Sequence, residues 1–220
     1  MTLVKLRKKD DPLERDVEKE IDDGGLSPLS PPDAYAPPGS DQAVSYEKMH
    51  PVLRELRDEH AAMVLELDAF EALLSQVKAD GVQRTTEAGL ARFFRCLDES
   101  VFPHNRKEEK HVFPLLDRRL IESGEHTKSD PPTTGIELIE GEHDEFLQLA
   151  AVVFNFLGLA GRLPDPESRT IVLGTAVQQA ELLVEGLRLH IFREEHVIFS
   201  LAHKYITSEE FDRMQAPVPA

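Results

Sequence analysis

Apolar residues recur at alternating steps of three and four residues in four separate stretches of this chain, which is the pattern of an amphipathic α-helix. Helix-start signals precede the stretches: Pro51, a threonine at position 85 or 86, a capping-box pattern from Thr134 to Glu137, and Asp165 followed by proline. The predicted buried stripes are Leu53, Leu56, His60, Met63, Leu67, Phe70 and Leu74; Leu90, Phe94, Leu97, Val101, His104, Glu108, His111 and Leu115; Ile136, Ile139, His143, Phe146, Ala150, Val153 and Leu157; and Leu173, Ala176, Ala180, Leu183, Leu187, His190, Glu194, Val197 and Leu201.

Four amphipathic helices with connections of moderate length predict an all-α fold, an up-down-up-down four-helix bundle. The first and last helix pairs carry the same polar pattern, so we expect an internal pseudo-two-fold repeat. A short C-terminal helix is expected after Thr207. We assign residues 46–214 to the bundle. Residues 1–45 are rich in proline and lack apolar periodicity, which predicts a disordered or extended N-terminal arm.

Apart from His111, six polar residues lie on these otherwise largely apolar stripes. They are His60, His104, Glu108, His143, His190 and Glu194. Burying a polar group without a partner costs about 1–3 kcal/mol, and more for a charged one. Residues four apart on a helix differ by only about 40° in direction. Each His-x-x-x-Glu pair therefore presents both side chains on one side of its helix. Their burial there is unfavourable unless the polar groups gain a binding partner.

A dinuclear metal site would turn all six side chains into ligands, with Glu108 and Glu194 bridging two ions. The expected terminal ligands are His60 and His104 for one ion and His143 and His190 for the other. Imidazole with carboxylate suits iron or manganese better than calcium or structural zinc. The alternative is a core of histidines satisfied by carboxylates, since His-x-x-x-acid pairs arise by chance in a chain with 9 histidines and 41 acidic residues. The shared position of both pairs on core stripes, each downstream of a Glu-His pair, favours metal.

Residues next to the predicted ligands leave several interpretations open. His111 lies seven residues after His104 and is expected on the same face. It is an extra ligand, a hydrogen-bonding or proton-handling residue beside the site, or a histidine without a role there. Glu109 and Glu195 either support the ligands from outside or are exposed acids. Pro103 removes a backbone hydrogen bond and is expected to kink the second helix.

These motifs resemble the hemerythrin-like, or HHE cation-binding, family over roughly residues 50–206. The resemblance rests on His60, on His104-x-x-x-Glu108-Glu109 leading to Val112-Phe113-Pro114, on His143, and on His190-x-x-x-Glu194-Glu195. It implies a non-haem di-iron centre in a four-helix bundle, with two iron ions (Fe2+/Fe3+), a bridging oxo or hydroxo group, Glu108 and Glu194 as bridges, and the four histidines as terminal ligands. Manganese is the less favoured metal.

Oxygen-carrying members of that family have a fifth histidine where this chain has Leu147. The four-histidine set is more similar to the bacterial branch concerned with iron–sulfur repair, nitric oxide or peroxide. We therefore expect a protein that binds or reacts with oxygen, nitric oxide or peroxide at an open metal position. The alternative is an iron or oxygen sensor, or an iron-binding regulatory module, whose fold depends on metal occupancy. A ferritin-type oxidase ranks lower, because that group pairs Glu with His three residues later. No catalytic residue is identified, and the sequence leaves open whether the protein is an enzyme.

The composition disfavours some classes of binding partner and some cellular locations. A net charge of −16 argues against nucleic acid and an anionic membrane. We expect neither a transmembrane helix nor a signal peptide, because the chain has no long apolar run. Cys96 is the single cysteine, which excludes an internal disulfide and suits a reducing, cytoplasmic location. We expect this cysteine to be a small buried thiol.

Overall fold

The computed structural model describes residues 43–215, and all regular structure in this range is helical. This confirms the all-α prediction. Four long helices are followed by a short one: α1 at Pro51–Asp80, α2 at 84–123, α3 at Gly135–Ala160, α4 at 166–205 and α5 at Ser208–Gln215. The predicted N-terminal arm, residues 1–45, lies outside the described residues except for its last three positions.

Three of the four long helices start at the predicted signals, whereas α2 begins at Arg84 with Gln83, not Thr85 or Thr86, at its N-cap. The His50 side chain accepts a hydrogen bond from the Val52 backbone N–H at the start of α1. Thr134 and Asp165 cap α3 and α4 in the same way, as predicted. Helix α1 ends at Gly81, whose φ of 74° lies in the left-handed region that favours glycine.

Two of the long helices are interrupted by π turns. Helix α2 contains π turns at Leu97–Val101 and Glu108–Val112, and α4 contains one at Glu194–Ile198. A π turn closes its hydrogen bond over one more residue than an α turn, so the residues that follow change their facing direction. As a result, Leu116, Ile198 and Ala202 are buried where the sequence pattern predicted Leu115, Val197 and Leu201.

The long helices contact one another in a ring, α1 with α2, α2 with α3, α3 with α4, and α4 with α1. The buried apolar residues form two clusters. One centres on residues such as Leu67, Phe70, Phe93 and Leu183. The other contains Leu53, Phe113, Ile139 and Phe199, among others. The polar residues of the predicted stripes, except His111, form a layer between these clusters.

Between residues 43 and 215, no helix combines the length and the apolar character that crossing a membrane requires.

Candidate metal centre

The structure brings the six polar stripe residues together in one buried layer. Each has at most 4% of its surface exposed, and both glutamates have 0%. Their donor atoms form two groups, in each of which all atoms lie within 4.8 Å of one another. The first group is His60, His104, Glu108 and Glu194, and the second is His143, His190 and Glu194.

The first group takes its donor atoms from α1, α2 and α4. The Nε2 atoms of His60 and His104 lie 2.9 Å apart. His60 Nε2 is 3.1 Å from Oε2 of Glu194. His104 Nε2 is 3.4 Å from Oε1 of Glu108. Two nitrogens and two carboxylate oxygens therefore converge on one small volume.

The second group has a similar histidine pair, with the Nε2 atoms of His143 and His190 3.1 Å apart. Glu194 Oε1 is 3.3 Å from His190 Nε2 and 4.0 Å from His143 Nε2. Glu108 Oε2 lies 3.8 Å from His143 Nε2. Each carboxylate thus directs one oxygen to each histidine pair, which is the arrangement that a bridging ligand requires.

The donor set fits two transition-metal ions. Within the described chain, five buried polar atoms of this layer form no hydrogen bond, namely His60 Nδ1 and both oxygens of Glu108 and of Glu194. Burying carboxylates without hydrogen bonds is costly, and bound cations would compensate their charge. Two nitrogens bound at right angles to one ion, each at about 2.1 Å, lie about 3.0 Å apart. The two histidine pairs, at 2.9 and 3.1 Å, match this spacing.

Each histidine of the layer also has a glutamate behind it. The Nδ1 contacts are His104 with Glu59 at 2.7 Å, His143 with Glu109 at 2.7 Å, His190 with Glu142 at 2.9 Å, and His60 with Glu195 at 3.4 Å. Every glutamate comes from the helix before that of its histidine, with α4 preceding α1, so the contacts form a closed ring around the four helices. A carboxylate at Nδ1 orients the imidazole ring and leaves Nε2 free to bind a metal.

Three of these four outer glutamates are held in turn by a cation. Lys107 pairs with Glu59, Arg193 pairs with Glu142, and Arg57 Nε lies 3.2 Å from Glu195. Glu109 differs, because no lysine or arginine in the described part of the chain pairs with it. Its side chain is 40% exposed, against 31%, 12% and 18% for the other three.

The two carboxylates of the layer occupy equivalent backbone positions, each at the first residue of a π turn. Pro114 follows the first of these turns, whereas Ser200 stands at the matching place after the second. Proline is therefore not required for the π turn. The π turn at Leu97–Val101 does lie just before Pro103, and the kink expected at this proline stays a prediction.

These π turns also place an aromatic ring against the histidine of the other repeat. Phe113 stacks on His143 with ring centroids 5.9 Å apart, and Phe199 stacks on His60 at 5.5 Å. Both phenylalanines have 0% of their surface exposed. They separate the polar layer from water on that side.

The titratable groups of the layer shift one another's pKa values. Burial, together with the negative charge of Glu194, raises the pKa of Glu108. Burial acts on Glu194 in the same direction, but the positive charges of His190 and His60 outweigh it and lower the pKa of Glu194. Burial lowers the pKa of His104, but Glu108 and Glu59 outweigh it and raise this pKa to about 10. A metal ion that binds the imidazole nitrogens has to displace such protons.

A small apolar pocket lies beside the first group. Its walls include His60, His104 and His190 together with the apolar side chains of Met63, Leu67, Phe93, Val101, Leu187 and Ile191. The cavity measures about 10 Å³, which is room for about one water-sized molecule. The half-buried Cys96 also lines it, and burial raises the pKa of this thiol.

The structure does not bring His111 to the centre. This residue is exposed and belongs to neither group of donor atoms. Its predicted place on the site face assumed an uninterrupted α-helix. The π turn at Glu108–Val112 changes that direction, and Val112 is buried instead.

Sequence reasoning gave no role to Glu59 and Glu142, which hold two of the histidines. The signal was present, since each directly precedes a predicted ligand at the same point of the repeat. Glu109 and Glu195 were left open as supports or exposed acids. Both contact a histidine of the layer, so the supporting interpretation matches their position.

Comparison with known proteins gives a result that is consistent with a metal site in this layer. The family model "Hemerythrin HHE cation binding domain" matches residues 45–116, a range that includes His60, His104 and Glu108. The chain is 26% identical over 151 residues to the iron-sulfur cluster repair protein YtfE of Enterobacter sp. (strain 638), and 28% identical over 155 residues to that of Cronobacter sakazakii (strain ATCC BAA-894).

Each alignment covers 69% of this chain, but 63% and 62% of the two relatives. The chain therefore spans less than two thirds of the length of these relatives. No solved structure matches it. The family match confirms, over residues 45–116, the resemblance to the hemerythrin-like, HHE cation-binding family.

Proposed function

We propose that this chain is a non-haem di-iron protein, a four-helix bundle of the hemerythrin type, that binds or reacts with oxygen, nitric oxide or peroxide. The observation that carries the proposal is the buried layer in which Glu108 and Glu194 lie between two closely spaced histidine pairs. Such a layer is unfavourable as a purely structural core, because the four carboxylate oxygens have no hydrogen-bond partner.

Iron is the metal that we propose for both positions. Imidazole nitrogen with carboxylate oxygen suits iron and manganese, whereas calcium prefers oxygen alone. The match to a cation-binding family and the iron–sulfur names of two relatives support iron over manganese. When bound, two irons would supply redox chemistry and an open position for a small ligand.

The chain's own residues would divide the remaining tasks. The four histidines and the two buried glutamates would hold the ions. The outer ring of carboxylates orients the imidazoles, because each accepts from, or approaches, an Nδ1 atom. Phe113 and Phe199 exclude water from one side of the layer.

The pocket supports a reactant of diatomic size. At about 10 Å³ it has room for about one water-sized molecule, which favours a small reactant over a metabolite with an organic skeleton. Its mostly apolar wall favours a neutral molecule over an anion. Oxygen, nitric oxide and hydrogen peroxide are all small and neutral, and oxygen and nitric oxide are the less polar of the three.

A metal-dependent sensor is the second candidate. The observation in its favour is the number of unpartnered buried atoms in the layer, because their cost falls on the metal-free protein and makes its stability depend on occupancy. A sensor and a di-iron catalyst differ in turnover. Catalysis predicts repeated consumption of nitric oxide or peroxide, whereas sensing predicts one binding event and a large rise in melting temperature.

The test is anaerobic reconstitution of the full chain with Fe2+, followed by metal analysis and by optical and Mössbauer spectroscopy. Oxygen, nitric oxide and hydrogen peroxide are then added separately. We expect two irons per chain and a spectral change with at least one of the three. Glu181→Gln, which alters a surface pair with Lys78 away from the layer, is the matched control and should behave as the original chain. A protein that stays metal-free or binds a single ion would contradict the proposal.

A further inference from the structure

We infer that the two metal positions fill in a fixed order, the His60–His104 position first and the His143–His190 position second, and that the second ion is the one released more readily. The inference rests on the proposed function, since it presumes two ions in this layer. It concerns three features that the two positions do not share.

The first feature is the number of donor atoms already in place. Four residues bring a donor atom to the first position, two imidazoles and two carboxylates. At the second position only three residues have all their donor atoms within 4.8 Å of one another, and Glu108 approaches His143 without joining that group. Glu108 reaches His104 at 3.4 Å but His143 only at 3.8 Å. A divalent ion at the first position therefore meets more ligands and more negative charge without rearrangement of the chain.

The second feature is how firmly the outer glutamates are held. At the first position, Glu59 pairs with Lys107 and Glu195 with Arg57. At the second position, Glu142 pairs with Arg193. Glu109 has its hydrogen bond to His143 and no cation among the described residues. With 40% of its side chain exposed, it also has water as a competing partner.

The third feature is the histidine that Glu109 supports. Among the four histidines, His143 is the most exposed at 4%, and its Nε2 atom makes the longest carboxylate contacts in the layer, at 3.8 and 4.0 Å. Its ring orientation depends mainly on Glu109 and on the stacked Phe113. The His143 corner is consequently the least constrained part of the site.

One effect acts in the opposite direction. Glu109 without a cation leaves an uncompensated negative charge near the second position, which attracts a metal ion. Because the side chain is substantially exposed, water and salt screen that charge, and its effect on affinity is only about a few-fold. Loss of an outer partner of a metal-binding histidine typically costs about 10–100-fold in affinity. The weaker positioning of the His143 ring therefore lowers the metal affinity of the second position more than the uncompensated charge of Glu109 raises it.

The experiment is a titration of the metal-free full chain with Fe2+ under anaerobic conditions, in which native mass spectrometry counts chains with no ion, one ion and two ions. Mn2+ repeats the titration without redox chemistry. The expected result is a one-ion species that accumulates before the two-ion species. Removal of iron by a chelator should show a fast phase and a slow phase of equal size.

Crossed variants identify the position that fills first. Glu109→Gln weakens the support of His143 and should increase the one-ion species by weakening the second step about 10-fold or more. Glu59→Gln weakens the support of His104 and should reduce the one-ion species, since it brings the two affinities closer together. Circular dichroism of the metal-free variants checks that both fold, and Glu181→Gln again serves as the remote control.

Three results would contradict either the filling order or the di-iron proposal, and they can be told apart. Direct passage from no ion to two ions in the original chain would overturn the inference, and so would equal effects of the two crossed variants. Either result leaves the di-iron proposal intact, because two ions still bind. Failure to bind two ions at all would instead remove the proposed function itself.

Discussion

The two halves of the site present the same ligands in different surroundings. Each half supplies a Glu-His pair from one helix and a His-x-x-x-Glu-Glu motif from the next. In the second half, Phe146 packs its ring edge against His190 at 5.2 Å. The first half has Met63 at the equivalent place, and Met63 lines a pocket whose wall also includes His60, His104 and His190. The repeat thus supplies the same ligands in both halves, whereas the side chains that pack against them differ.

A second difference lies in the backbone of the two His-x-x-x-Glu helices. Helix α2 has a π turn at Leu97–Val101 before its histidine, and α4 is regular over the matching stretch. Pro103 stands after the extra turn, where α4 has Leu189. The two histidines therefore occupy equivalent positions although the backbone before each has a different conformation. Substitutions at matched positions should reveal which half each residue serves.

The largest expected effect concerns the two buried carboxylates. Glu194 supplies a donor atom to both groups, whereas Glu108 belongs to one. Glu194→Gln should therefore bring iron binding close to zero, because each position loses a ligand. Glu108→Gln should retain at least one ion per chain, since Glu194 still serves both histidine pairs. Metal analysis after reconstitution with Fe2+ measures the difference, and equal losses in the two variants would refute the unequal roles of these carboxylates.

A smaller effect is expected from the packing around Phe146. A Cβ atom at Gly186 would lie 2.9 Å from Phe146 Cε1, which is too close for the ring to stay in place. Gly186→Ala gains about 1 kcal/mol of helix propensity but should lose about 1–3 kcal/mol to overpacking. The net expectation is a modest loss of unfolding free energy in urea denaturation, together with weaker metal binding at His190.

Ser100 is the matched control, since it stands at the place in α2 that corresponds to Gly186 in α4. It is exposed, so Ser100→Ala should change the unfolding free energy by no more than about 0.5 kcal/mol. If both alanine variants behaved alike, the packing difference between the two halves would have no energetic consequence.

The pair of Glu59 and His104 should give the metal-free protein a pH-dependent stability. Burial raises the pKa of Glu59, but hydrogen bonds from His104 and Lys107 outweigh it and lower this pKa from 4.5 to about 2. The pKa of His104 is raised from 6.5 to about 10, chiefly by Glu108 and in smaller part by Glu59. A lowered acid pKa stabilises the fold above pH 4.5, and this contribution is lost as the pH falls toward about 2. A raised histidine pKa stabilises it below pH 6.5, and this is lost as the pH rises toward about 10.

The advantage of the original chain over Glu59→Gln should therefore be greatest between pH 4.5 and 6.5 and decline on both sides. Urea denaturation of the two metal-free proteins across this range measures it. A difference that does not vary with pH would show that Glu59 acts through packing and not through its charge.

The sequence predicted the six residues of the buried layer but not the glutamates Glu59 and Glu142 that contact its histidines, and the reason is physical. A histidine or glutamate on an apolar stripe is visible from helical periodicity alone, and six of the seven such residues, all but His111, are buried together in the structure. The roles of Glu59 and Glu142 depend on which helices are neighbours and in which register they pack, and one helix's periodicity does not contain this information. The π turns are another such case, because a count at 3.6 residues per turn assumes that the turn width never changes.

His111 shows the cost of that assumption and gives the smallest expected effect. With regular α geometry it would share a face with His104, whereas the π turn leaves it exposed and buries Val112. His111→Leu should therefore leave the iron content and the reactivity with nitric oxide and peroxide unchanged. Val112→Ala, the control on the buried side of the same turn, should lower the unfolding free energy by about 1–3 kcal/mol. Loss of iron from His111→Leu would mean that the turn reverts to α geometry when metal is bound, and the two halves would then differ by one more ligand.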